Sequence, residues 1–264
     1  SVENLNCYDE VILCNDTFFG PFVPMRDIFS KMEEKGCDVW GLNGYLDMIF
    51  AHIQSYFLVF RKRTFKLLLN YFETCINSNT VSLNCVYCQF ESGIFDFLTR
   101  ENGMRGMIFA GGHNLDIYRL SYAALSKYNV PIVKKKVFEN VNRDKDNIFC
   151  TLSYIKYNTN YDIGMILKSV NRKYGLIIDE KDIKGIDYYN TPLEKSFPVA
   201  AHTEKQIEEF IGNDEFYIYG AGIYAHKVYW RFGRQNGRFK GFIVSDNQTM
   251  KESELFGCSI YPFS

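Results

Sequence analysis

The run Tyr8-Asp9-Glu10-Val11-Ile12-Leu13-Cys14-Asn15-Asp16-Thr17-Phe18-Phe19-Gly20-Pro21 constrains the fold more than any other stretch. Its apolar centre predicts a buried strand that stops at a carboxylate, and Gly20-Pro21 predicts a turn straight after it. In α/β proteins the carboxyl end of a central strand is where ligand and metal contacts gather. Asp16 is therefore the first candidate functional residue.

The chain downstream alternates strand and helix patterns, which defines an α/β class. Met25, Ile28, Phe29 and Met32 recur at helical spacing within Pro24 to Lys35, and Gly36 ends that helix. Asp38 to Leu42 is a short strand with Trp40 in the core, and Gln54 to Arg61 is a third strand, alternating and rich in Phe, Tyr and Val. Helices are expected over Arg63 to Phe72, Phe90 to Glu101 and Asp116 to Tyr128, the last stopped by Asn129-Val130-Pro131. Residues 139–205 mix Lys, Asn and Asp clusters and read as a helical connector with polar loops, punctuated by Pro192 and Pro198. A further unit starts near Asn213, with a strand at Phe216 to Tyr219, a Gly220-Ala221-Gly222 turn, a helix from Ile223 to Gln235 and a strand from Phe239 to Val244. The expected division is 1–138, 139–212 and 213–264, the last a βαβ start short for a free-standing domain.

Composition excludes several classes. The 264 residues are 47% hydrophobic and 23% charged, enough for a sizeable core and against disorder. A net charge of -1 argues against a nucleic-acid partner. Eight cysteines lack framework spacing and read as reduced, buried thiols; Cys85-Val86-Tyr87-Cys88 is half a zinc pattern without a second pair nearby. No apolar stretch approaches the roughly 18 residues that cross a bilayer. Ser1-Val2-Glu3-Asn4 is neither a secretory nor a transit peptide, so a cytoplasmic location is expected, with an upstream segment or partner chain completing the protein. Lys134-Lys135-Lys136 reads as a solvated charge run, with a phosphate or an anionic inner membrane face as its minority partner.

The strings Asn15-Asp16-Thr17-Phe18-Phe19-Gly20-Pro21, Asp38-Val39-Trp40-Gly41-Leu42, His52-Ile53-Gln54-Ser55-Tyr56-Phe57-Leu58-Val59-Phe60 and Pro131-Ile132-Val133-Lys134-Lys135, in this order, resemble the rhamnan synthesis protein F family over residues 8–138. Its members take part in bacterial cell-surface polysaccharide (rhamnan and lipopolysaccharide) assembly and are regarded as rhamnosyltransferases or close relatives. The order of parts also resembles the second half of a GT-A glycosyltransferase, a half domain with a mixed sheet. The resemblance implies transfer of a deoxyhexose, rhamnose by family, from a nucleotide-diphosphate sugar donor to a glycan or lipid-linked glycan acceptor. It implies that Asp16 meets the donor diphosphate directly or through Mn or Mg. Asn15, Gly20, His52, Gln54, Ser55 and Tyr56 would line the donor site, and Glu91 would be the catalytic base. The GT-A acidic triplet carries two carboxylates, whereas Asn15-Asp16-Thr17 carries one.

The chemistry asks for such a set. A nucleotide-diphosphate leaving group needs its charge neutralised, which a hard cation supplies, and the acceptor hydroxyl needs a carboxylate within hydrogen-bond reach. In the last unit Gly220, Gly222 and Ala225 form G-x-G-x-x-A between strand and helix, and Asp246 ends the next strand. That is a dinucleotide fingerprint, which predicts a bound nucleotide unless the glycines serve only close strand–helix packing, and the segment resembles small Rossmann-like modules attached to sugar-modifying enzymes and bacterial surface-polysaccharide proteins. Two other readings stand beside the transferase. One is a non-catalytic nucleotide-sugar or glycan-binding subunit; the other is an NAD-linked sugar-modifying enzyme.

Overall fold

The computed structural model describes residues 5, 7–45, 52–77, 90, 93–110, 117–118, 120–140, 145–185, 204–221, 223–234, 236–245 and 254–263. In chain order the elements are β1 (Glu10–Cys14), β2 (Phe18–Phe19), α1 (Met25–Glu34), β3 (Val39–Gly41), β4 (Gly44–Tyr45), β5 (His52–Ile53), β6 (Phe57–Arg61) and α2 (Phe65–Asn77). There follow α3 (Ile94–Asp96, continued by a π-helical turn Phe97–Glu101), β7 (Gly106–Ile108), α4 (Ser121–Ser126), β8 (Val133–Lys134), α5 (Lys145–Asn158) and α6 (Ile163–Tyr174). The last are α7 (Glu204–Ile211), β9 (Phe216–Tyr219), α8 (Ile223–Val228, continued by a π-helical turn Tyr229–Gly233), β10 (Phe239–Ser245), β11 (Glu254–Leu255) and β12 (Cys258–Phe263). The mixed α/β class is as expected, and the chain forms two compact units.

The first unit contains residues 1–44, 54–62 and 105–199. Its sheet runs β1-β6-β3-β7, with β6 antiparallel to both neighbours and β3 parallel to β7. The sheet is mixed, and β1 is its edge strand, with Ile12 44% exposed. This corrects the reading of β1 as a buried central strand. The centre is taken by β6, where Phe57 to Phe60 are buried on both faces rather than alternating. A short apolar run does not by itself distinguish an edge from a centre, because only pairing on both sides decides it. The amphipathic α1 buries Ile28 and Met32 as its spacing requires, against a core that includes Trp40. Trp40 meets the ring of Phe29 edge-on at 5.1 Å.

A second core of this unit joins Phe19, Phe22 and Val133 to Ile148, Leu152 and Ile166 of α5 and α6. These two helices, read from sequence as connector, are thus core elements. Asp162 caps α6 by accepting from the Gly164 N–H at 2.9 Å, and Gly175 ends it in the left-handed conformation at φ 65°.

The second unit contains residues 45–53, 63–104 and 200–264. Its sheet runs β11-β12-β10-β9, with β9, β10 and β12 parallel and β11 antiparallel to β12. Strands β9 and β10 match the sequence reading, while β12 had no counterpart in it. Phe242 is fully buried at the centre, packed with Ile218, Ala225 and Tyr229. Gly241 sits at φ 146°, and a Cβ there would lie 2.5 Å from the Ser259 carbonyl oxygen, so no side chain fits between β10 and β12. Among the described residues, no helix is long and apolar enough to cross a membrane.

Candidate functional site

The first unit folds its signature turn into a small polar corner. As β1 ends, the Asn15 N–H donates to the Tyr56 carbonyl at 3.3 Å. The Asn15 Oδ1 accepts from the Thr17 N–H at 3.1 Å and from the Thr17 hydroxyl at 2.5 Å. This is an Asx turn, which asparagine forms because its short amide imitates a backbone carbonyl. The turn leaves the Asp16 side chain 99% exposed.

Beyond the turn, β2 pairs antiparallel with β8, setting Phe18 against Lys134 and Phe19 against Val133. The Lys135 N–H donates to the Thr17 carbonyl at 2.9 Å and extends this ladder. The register turns Lys134 inward. It is only 6% exposed; its ammonium donates to the Thr17 hydroxyl and lies 4.3 Å from the centre of the Tyr56 ring. Thr17 can serve both neighbours because a hydroxyl donates once and accepts twice. Lys135 points to the open side, with Nζ 3.9 Å from Asp16 Oδ2. Lys173, on the last turn of α6, has its ammonium pushed up by Tyr174 and by the carboxylates Glu139 and Asp16. At the corner itself the exposed Asp16 carboxylate stands beside Lys135, with the buried Lys134 ammonium behind Thr17.

Gly20 supports the corner from behind. At φ 127°, its missing side chain lets the backbone press on the segment before β8, where a Cβ would lie 2.5 Å from the Pro131 carbonyl oxygen. That oxygen accepts from the Phe22 N–H at 2.8 Å. Only glycine combines that φ with so close an approach.

Of the expected donor-site residues, Asn15, Asp16 and Tyr56 come together here, and Gly20 acts through packing. Gln54 and Ser55 are half-buried in the turn leading into β6, where the Gln54 N–H donates to the Asn43 carbonyl at 3.0 Å. His52 belongs to the second unit, buried in β5 with its ring 5.4 Å from that of Tyr45. Glu91, Gly222 and Asp246 lie outside the described residues. Gly220 has φ 94°, its N–H donates to the Ile243 carbonyl at 2.6 Å, and the space where a side chain would stand is open. Ala225 packs into the core of the second unit. His226, one residue on, is buried against Phe256, and burial pushes its imidazole below the usual range.

Sequence reasoning missed the lysines. Lys134 is not part of a solvated run: β8 buries both Val133 and Lys134, while Lys135 is half-buried and Lys136 exposed. The signal was present in Pro131-Ile132-Val133-Lys134, where a cation continues an apolar strand. Among the described residues no group of three His, Cys, Asp or Glu side chains could hold a metal. A divalent ion at a diphosphate takes one or two protein carboxylates together with phosphate oxygens and waters; at this corner Asp16, beside Lys135, is the exposed carboxylate, and the Asn15 oxygen is engaged by Thr17.

The class so defined is an α/β protein with a lysine-lined corner at the end of an edge strand. The chain belongs to the rhamnan synthesis protein F family, whose sequence model matches residues 1–203. The match runs well past residue 138, through α5 and α6, so these helices belong to the family region. No curated protein and no solved structure matches the chain. Family membership places the protein in rhamnan synthesis, a cell-surface polysaccharide pathway.

Proposed function

We propose that the protein is a glycosyltransferase that moves a deoxyhexose, rhamnose by family, from a nucleotide-diphosphate donor to a glycan acceptor. The observation that carries this reading is the fully exposed Asp16 carboxylate beside Lys135, at the strand end where Asn15 bonds to Tyr56, in a rhamnan-synthesis chain. An acceptor hydroxyl oxygen bonds to the anomeric carbon. The bond from that carbon to the diphosphate oxygen breaks, and its electron pair leaves on the diphosphate. The acceptor proton goes to a carboxylate, for which Glu91 is the candidate. Asp16 accepts hydrogen bonds from donor hydroxyls, and charged hydrogen bonds of this kind are the strong ones.

The test is transfer of labelled rhamnose from dTDP- and UDP-linked donors to rhamnose oligosaccharides. Losing a hydrogen bond to a charged group costs about 1.5–3 kcal/mol, so Asp16→Ala is expected to lower kcat/KM by about 10- to 100-fold. The melting temperature stays put, since the side chain is fully exposed. Glu91→Gln is expected to cost about 100-fold or more in kcat. Wild-type turnover by both variants would refute the assignment.

A further inference from the structure

We infer that the solvent face of α6, with Met165, Lys168, Arg172 and the following Ile177, docks the protein on an anionic lipid bilayer. None of these residues belongs to the Asp16 corner, so the inference is independent of the transferase reading.

The helix divides cleanly between core and solvent. Ile163, Ile166 and Val170 are buried in the second core of the first unit. Met165, Lys168 and Arg172 follow one another at spacings of three and four residues, which places them on one face, and all three are exposed. Met165 is 58% exposed. Past the left-handed Gly175, Leu176 and Ile178 pack on the same core, while Ile177 between them is 83% exposed.

Charge on this face is of one sign. Over Ile163–Tyr174 the charged residues are Lys168, Arg172 and Lys173, with no carboxylate among them. Neither Lys168 nor Arg172 forms an ion pair among the described residues. The carboxylates that flank the helix are engaged elsewhere. Asp162 caps α6 through the Gly164 N–H, and Glu139 accepts from the Tyr174 hydroxyl at 3.5 Å. Asp179 accepts from the Lys181 N–H at 2.9 Å, and Glu180 faces Lys156 at 3.5 Å. Asp182 lies further along the chain.

Cations in the last turn of a helix complement its dipole, which accounts for Arg172 and Lys173. The dipole does not account for Lys168 in mid-helix, nor for the bare Met165 and Ile177. Cations interleaved with exposed apolar side chains suit a bilayer surface. The cations meet lipid phosphates, and the apolar groups enter the boundary between headgroups and acyl chains. A nucleic acid would give Met165 and Ile177 no such medium. With a formal net charge of -1 for the whole chain, the attraction is local to this face. The Lys134-Lys135-Lys136 run does not supply the surface, because Lys134 is buried.

The test is sedimentation of the full chain with vesicles of phosphatidylcholine, alone and with phosphatidylglycerol added. The expected result is binding only where phosphatidylglycerol is present, weakening as salt rises. Lys168→Glu and Arg172→Glu should each lower partitioning by about tenfold or more, because reversal removes one attraction and adds one repulsion. Met165→Ser should lower it by about threefold or more. Melting temperatures should not move, since these side chains are exposed. Lys66→Glu, on α2 of the second unit, changes the net charge equally and should leave binding within about twofold. Equal binding to both vesicles, or none to either, would overturn the inference. So would a loss with Lys66→Glu as large as with Lys168→Glu. Unchanged lipid binding by the α6 variants, with an altered oligomeric state in size-exclusion chromatography, would overturn it and assign the face to a second copy of the chain.

Discussion

Replacing Thr17 with valine tests the corner most directly, because the change keeps the volume and removes only a hydroxyl. That hydroxyl donates to Asn15 at 2.5 Å and accepts from the buried Lys134 ammonium. The first bond lies in an exposed turn and is worth about 0.5–1 kcal/mol, as ordinary hydrogen bonds are. The second involves a charge that is 6% exposed and cannot turn to water without rearrangement. Hydrogen bonds to charged groups are worth about 1.5–3 kcal/mol. The Tyr56 ring still faces the ammonium at 4.3 Å and retains part of the stabilisation. The expected loss for Thr17→Val is therefore about 2 kcal/mol, measured by urea unfolding. A double-mutant cycle isolates the charged part. With Lys134→Met already present, Thr17→Val should cost less than about 1 kcal/mol, which leaves a coupling of at least 1 kcal/mol. Additivity of the two substitutions would refute the view that Thr17 holds the ammonium.

Two further outcomes follow from single residues. Burial on α3 raises the Asp96 carboxyl from 3.8 to about 6, against the opposing pull of Arg100. Between those values the folded chain keeps a proton that the unfolded chain has released, so stability should fall as pH rises from about 4 to about 6, by up to about 3 kcal/mol. Asp96→Asn should flatten that stretch of the stability–pH curve, and an unchanged slope in chemical unfolding would disprove the account. Gly20→Ala should destabilise the first unit by about 3 kcal/mol, since it forces φ 127° on a residue with a Cβ and drives that Cβ into the Pro131 carbonyl. A melting temperature within a degree of wild type would show that the close approach is not required.

The parts of this protein that were legible in its sequence are those settled over a few neighbouring residues. The spacing of Ile28 and Met32 determines the buried face of α1, and Gly36 at φ 61° marks its end. The strand at Phe216–Tyr219 and the Gly220 turn after it were legible because β-rich residues and glycine act on their own backbone. The strings shared with the rhamnan synthesis family were equally local. Tertiary structure alone decided that β1 lies at an edge, since that depends on β6 pairing with β3 on its other side. It alone decided the role of the lysines. Lys134 and Thr17 stand 117 positions apart, and only the β2–β8 register brings them together. In β8 both Val133 and Lys134 are buried, so the alternation of strand faces alone could not have told that this lysine leaves solvent while Lys136 stays exposed. Sequence therefore marked the strand-end carboxylate, and the fold supplied the cations beside it.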